Sequence, residues 1–208
     1  MRITLDNVGR KFNRDWIFRN INLTLESGNV YVITGPNGSG KSTFLQILAG
    51  NLPLTEGKIS YSLQTKIVSE DNIFRHISVA SPYLELIEEL TLTEVIEFHL
   101  RFKQLRDNLN VNSFIERIGL QRSKDKFISN FSSGMKTRLK LGLACYSDTP
   151  ILLLDEPTSN LDTTGIAWYQ KLISETVQNR LVILCSNQVY EYESFGNILH
   201  FENGRLLQ

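Results

Sequence analysis

The run Gly35-Pro36-Asn37-Gly38-Ser39-Gly40-Lys41-Ser42-Thr43 is the segment that most constrains how this chain folds. Its glycines permit tight backbone conformations closed to other residues and bring N–H groups close to anionic oxygens. The spacing is G-x-x-x-x-G-K-[ST], that of a loop wrapping a nucleotide's phosphates. In such a loop Lys41 bridges the β- and γ-phosphates and the Ser42 hydroxyl ligates Mg²⁺. The flanks agree with this reading. Val30-Tyr31-Val32-Ile33 reads as a buried strand, and Phe44 to Ala49 as a helix closed by Gly50. Strand, loop and helix in this order aim the helix N-terminus at the phosphates. The segment predicts a nucleoside triphosphate site in an α/β fold.

The rest of the chain divides by pattern. Ile3 and Leu5, and then Ile21, Leu23 and Leu25, alternate with polar residues, as half-buried strands do. Lys58 to Leu63 returns to that alternation. From Ser81-Pro82 to about Arg122 the sequence is helical. Thr91 and Glu94 form a capping box, with Val95, Phe98, Phe102 and Leu105 on one face. Ser113 and Glu116 suggest a second cap, opening a short helix of Phe114, Ile115 and Ile118 that Gly119 closes. Ile151-Leu152-Leu153-Leu154 and Leu181-Val182-Ile183-Leu184 are continuous apolar runs, expected of central parallel strands covered on both faces. Trp168, Leu172, Ile173 and Thr176 mark an amphipathic helix between them. A hairpin turning at Asn203-Gly204 ends the chain.

Bulk properties narrow the function. Lys plus Arg number 22 and Asp plus Glu number 22 in 208 residues, so a zero net charge gives no basic excess for nucleic acid. No stretch approaches the length needed to span a bilayer, and the N-terminus has no apolar signal core. Cys145 and Cys185 lie far apart in apolar sequence and read as reduced core residues of a cytosolic protein. His76, His99 and His200 lack metal-ligand spacing, and His99 reads as a structural histidine.

Two further segments carry chemistry. Asp155 and Glu156 emerge at the C-terminal end of the Ile151–Leu154 run, the sheet edge where ligands bind in open α/β folds. There Asp155 can hold Mg²⁺ and Glu156 can orient or deprotonate a water attacking the γ-phosphate. Phe131-Ser132-Ser133-Gly134-Met135 opens a helix whose free N–H groups make a second anion site.

The order and spacing of these three motifs resemble the ATP-binding domain of ABC ATPases, over essentially the whole chain. Gly35 to Thr43 looks like Walker A, Ile151 to Glu156 like Walker B with its catalytic glutamate, and Ser132-Ser133-Gly134 like the signature motif. Ser159 to Asp162 looks like the D-loop. Phe12 sits where the family stacks an aromatic on adenine, with Trp16 a nearby alternative. The resemblance implies a P-loop NTPase core with a mostly parallel central sheet, an N-terminal antiparallel β subdomain and an inserted α-helical subdomain. One ABC domain would span 1–208, its core formed by 1–80 and 145–208 and its helical subdomain by about 81–144. The resemblance further implies a head-to-tail dimer holding ATP and Mg²⁺, and a separate membrane-spanning permease docked near Pro82 to Leu90. The chain would then sit peripherally on the cytoplasmic face of the membrane. A compact size resembles small exporter-type subunits.

The chain departs from the family pattern at three places. Ser133 and Met135 replace a glycine and a glutamine of the signature. Ser81 or Pro82 stands where the family has a glutamine entering the helical subdomain. Asn187 takes the place of the switch histidine, keeping an N–H donor for the γ-phosphate but no titrating ring. The expectation is hydrolysis at a reduced rate, with a binding-only regulatory or soluble non-transport ABC protein as the alternative.

Overall fold

The computed structural model describes residues 1–207. Two sheets enclose one helix, and further helices cover the far face of the larger sheet. The smaller sheet is antiparallel, with β1 (Arg2–Phe12), β2 (Asp15–Glu26), β4 (Glu56–Leu63) and β5 (Lys66–Val68) in the order β2-β1-β4-β5. The larger contains β3 (Val30–Thr34), β6 (Ile77–Ala80), β7 (Ile151–Asp155), β8 (Leu181–Cys185), β9 (Asn197–Glu202) and β10 (Arg205–Leu207). Its order is β10-β9-β3-β8-β7-β6, parallel except for the terminal β9–β10 hairpin. Asn203 and Gly204, the two residues of that hairpin turn, both have positive φ, 48° and 73°. A primed turn requires this, and it explains why this dipeptide stands there.

The apolar runs behave as their pattern demands. In β7, Ile151 and Leu153 enter the core between the sheets, while Leu152 and Leu154 enter the core beneath the helices. β8 divides in the same way, with Leu181 and Ile183 on one side and Val182 and Leu184 on the other. α1 (Lys41–Leu48) lies between the sheets, its Phe44 packed edge-on against Phe18 and Phe201 at ring separations of 5.7 and 5.5 Å. This aromatic cluster joins β2, α1 and β9 and fixes the helix that opens at the phosphate loop.

α2 (Leu92–Leu100), α3 (Val111–Arg117) and α4 (Ser133–Tyr146) lie between β6 and β7 in sequence, and α5 (Thr163–Thr176) between β7 and β8. The Thr91–Glu94 capping box is present. Two expectations change. α2 ends at Leu100 and buries Leu92, Val95 and Ile96, so Phe98 and Phe102 face outward and pack on one another at 5.2 Å. The buried face lies about one position out of phase with the expected one, because aromatic residues at 98 and 102 mimic an apolar stripe. The second cap is Asn110, whose side chain accepts from Ser113 N while Ser113 reciprocates. Both residue types cap, and the earlier one wins.

His99 is a structural histidine. Its Nε2 lies 2.8 Å from Ser147 Oγ, and burial, aided by the Lys103 charge, pushes its pKa down to about 4. The unfolded chain, with a histidine pKa near 6.5, takes up a proton that the folded chain refuses. This contribution is therefore present above about pH 6.5 and is lost as pH falls towards 4, by about 3 kcal/mol at most. His99→Gln should flatten that part of the stability curve, measured by urea unfolding at pH 7 and pH 4.5.

Candidate nucleotide-binding site

Parallel pairing of β3, β8 and β7 brings three segments to one edge of the sheet: the loop after β3, the Asp155-Glu156 pair closing β7, and the Ser186-Asn187 segment after β8. Gly35 lies at the centre of this junction. Its N–H donates to Asn187 Oδ1 at 3.0 Å, and its carbonyl accepts from Lys41 Nζ at 2.7 Å. A second loop carbonyl, Pro36 O, accepts from the same ammonium at 3.1 Å. Glycine is needed here, because φ is +141° and a Cβ would lie 2.4 Å from Phe201 O. At Gly40, which precedes α1, φ is +106° and a Cβ would meet Ile17 at 2.6 Å. The loop is thus shaped by the β9 backbone on one side and by β2 on the other.

The two carboxylates occupy unlike surroundings. Asp155 is buried, and its Oδ1 has no hydrogen-bond partner within the protein. Burial pushes its pKa up; a hydrogen bond from Ser42 opposes this, Glu156 adds to it, and Lys41 pulls it down. Glu156 is exposed and has φ of +42°, a left-handed conformation that costs an ordinary residue about 1–3 kcal/mol. Its N–H is anchored to Cys185 O at 2.9 Å. The bend turns Glu156 out of the sheet just where Asp155 turns in.

The family model described as ABC transporter matches residues 18–159, a span containing the phosphate loop, the Ser132 turn and the carboxylate pair. This chain belongs to the ABC transporter family. It is 29% identical over 203 residues to an uncharacterized ABC transporter ATP-binding protein, YybJ, of Bacillus subtilis, covering 96% of this chain and 92% of that one. It is 30% identical over 223 residues to the energy-coupling factor transporter ATP-binding protein EcfA1 of Thermotoga maritima, covering 99% and 80%. The fold matches that of a bacterial Atm1-family ABC exporter with ATP bound, with a TM-score of 0.82 at 20% identity; all of this chain aligns with 38% of the exporter chain.

In ABC terms, the Walker A loop carries another polar atom without a protein partner, the buried Ser39 Oγ. Asp155 Oδ1 is likewise unpartnered, and the Ser42 hydroxyl lies within hydrogen-bonding reach of the Asp155 carboxyl, so Ser42 and Asp155 offer oxygens of the kind a phosphate-bound Mg²⁺ requires. Among the described residues no cluster of three or more His, Cys, Asp or Glu could hold a metal by itself. Mg²⁺ needs no such cluster, since it binds through one or two protein oxygens plus phosphates.

The signature turn is built locally. Ser132 caps α4, its hydroxyl accepting from Met135 N at 3.2 Å. Gly134 lies against the D-loop, where a Cβ would come within 3.2 Å of Asn160 O. Ser133 is exposed beside it. Among the described residues no hydrogen bond joins Ser132, Ser133 or Gly134 to the Walker A loop. Asp162 caps α5 through Gly165 N at 2.7 Å rather than reaching the phosphate loop. Phe12 ends β1 with an exposed ring, and the Arg10 guanidinium lies 4.5 Å from its centroid. The Trp16 ring carries Arg19 at 4.1 Å and Lys11 at 5.4 Å.

Sequence reading missed Glu191. This buried acid accepts from Thr158 N at 3.0 Å and from the Thr158 hydroxyl, tying the turn after Glu156 to the segment after Asn187. Burial pushes its pKa up against hydrogen bonds from Ser186 and Thr158. Its partner lies 33 residues away, so no local pattern shows the pairing.

Proposed function

We propose that this chain is the ATP-binding and ATP-hydrolysing subunit of an ABC-type membrane transporter, working as a head-to-tail dimer with a separate membrane-spanning partner. The observation that carries the reading is the convergence of Lys41, Asp155, Glu156 and Asn187 on one sheet edge, around a glycine loop with unpartnered buried oxygens. Lys41 would exchange its two loop carbonyls for the β- and γ-phosphate oxygens. Ser42 and Asp155 would hold Mg²⁺, which when bound neutralises charge on the phosphates. Glu156 would take a proton from a water as that water's oxygen attacks the γ-phosphorus, and the β–γ bridging bond would break to leave ADP and phosphate. The Asn187 amide keeps its two N–H groups for a γ-phosphate oxygen, its carbonyl being held by Gly35. Phe12 would stack on adenine, the remaining loop residues Pro36, Asn37, Gly38 and Thr43 would line the phosphates, and Asp162 would set the D-loop.

In that dimer each nucleotide would lie between Walker A of one copy and Ser132-Ser133-Gly134 of the other. The division into a core (1–80 and 145–208) and a helical subdomain (about 81–144) belongs to the same proposal. Leu139 and Leu141 of α4 share a core with Leu152 and Leu154 of β7, which supports one domain rather than two.

For the membrane partner we assign the face around Pro82 to Leu90. Tyr83, Leu84 and Ile87 are exposed there, beside a 290 Å³ groove lined in part by Phe74, Val79, Leu86 and His99. No helix among the described residues is long and apolar enough to cross a membrane. The cytoplasmic membrane face is the location this reading assigns. Ser81-Pro82 and Asn187 favour slow turnover, and a domain that binds ATP without hydrolysing it is the second reading. Affinity purification from solubilised membranes tests the first: a stoichiometric multi-span protein supports it, whereas ribosomes or DNA would overturn it.

A further inference from the structure

Lys140 lies about two turns into α4, the helix that begins at the signature. Its ammonium donates to Pro82 O at 3.0 Å and Ser81 O at 3.4 Å. Both carbonyls belong to the segment that leaves β6. Lys136, one turn earlier, pairs with Glu88, but among the described residues Lys140 has no ion-pair partner. Burial lowers its pKa, with Lys136 acting in the same sense and Glu85 against it. A half-buried cation spent on two carbonyls contributes position more than charge neutralisation.

That position is unusual because Lys140 borders three hollows. One, of only 10 Å³, is shared with Pro82, Asp155 and Glu156 and has room for about one water. The second is the 290 Å³ groove beside Val79, Leu84 and Leu86. The third, of 330 Å³, runs along Pro82 to Glu88. One side chain therefore stands between the carboxylate edge and the exposed apolar face. The loop's own ties are short-range, Tyr83 N to Ser81 Oγ at 3.3 Å and Leu84 N to Ser81 O at 3.2 Å. Pro82 has no N–H to add another.

We propose that Lys140 is a positioning residue: it clamps the Ser81-Pro82 loop to the signature helix, so that the Asp155-Glu156 edge and the groove change together. The clamp stands on the geometry alone, and the coupling to nucleotide rests on the ATP reading above. Methionine keeps the chain length at 140 without the donor, and arginine restores a donor. In Lys140→Met, amide exchange of Tyr83 and Leu84 without nucleotide should speed about tenfold, and Lys140→Arg should recover most of that protection. A non-hydrolysable MgATP analogue should bind both variants within about threefold of wild type. It should alter Tyr83–Leu84 exchange in wild type and Lys140→Arg but not in Lys140→Met. Turnover in Lys140→Met should fall about tenfold with KM nearly unchanged. Unchanged Tyr83–Leu84 exchange in Lys140→Met would overturn the clamp, as would an arginine variant no better than methionine. If wild type fails to bind the analogue, the ATP reading and the coupling fall, while the nucleotide-free comparison still decides the clamp.

Discussion

Lys41→Met should weaken MgATP binding about 30- to 1000-fold, corresponding to loss of roughly 2–4 kcal/mol of charge-assisted hydrogen bonding. Lys41 is 6% exposed, so a side chain of similar length and no charge fits the space it leaves. Its loss also unpairs Gly35 O and Pro36 O, which now accept from the ammonium. That costs the folded state about 1–3 kcal/mol, a destabilisation that thermal unfolding without nucleotide measures separately. Calorimetric titration with MgATP then isolates the binding effect. A variant that binds MgATP as tightly as wild type would remove Lys41 from the site, and with it the phosphate-loop account.

Glu156→Gln should act on the other half of the reaction. Removing a general base lowers rates about 10²- to 10⁴-fold, while MgATP affinity should stay within about threefold of wild type. Glutamine is nearly isosteric, position 156 is exposed, and the anchoring N–H to Cys185 O is unaffected by the side chain. The φ of +42° is no easier for glutamine than for glutamate, so stability should change little. A variant that hydrolyses ATP at the wild-type rate would place the base elsewhere. Asn187, with no titrating ring, adds no limb near neutral pH to the rate profile.

Much of this site was legible in the sequence because its parts are local. The glycine loop, the apolar β7 run ending in Asp155-Glu156 and the Ser132 cap are each contiguous, and each sets its own backbone. What was not legible depends on distance. The bond from Asn187 to Gly35 spans 152 positions, the Glu191–Thr158 tie spans 33, and the Lys140–Pro82 tie spans 58. Period and propensity carry no information about such pairs. The central strands could be read because alternate residues feed two cores at once. α2 could not be read so well, because Phe98 and Phe102 are exposed and pack on one another rather than on the core. β1 carries a different obstacle. Its register shifts near Asn7, where φ is +49°, and so alternation marks only its first half.

The central claim is that two copies complete a hydrolytic site that one copy only begins. Single-turnover hydrolysis of MgATP by the purified chain, measured across a range of protein concentrations beside Glu156→Gln, tests it most directly. The account predicts a wild-type rate at least about 100-fold above the variant, rising with protein concentration as pairs form. A wild-type rate no higher than that of Glu156→Gln, or one independent of protein concentration from the most dilute sample upward, would contradict it.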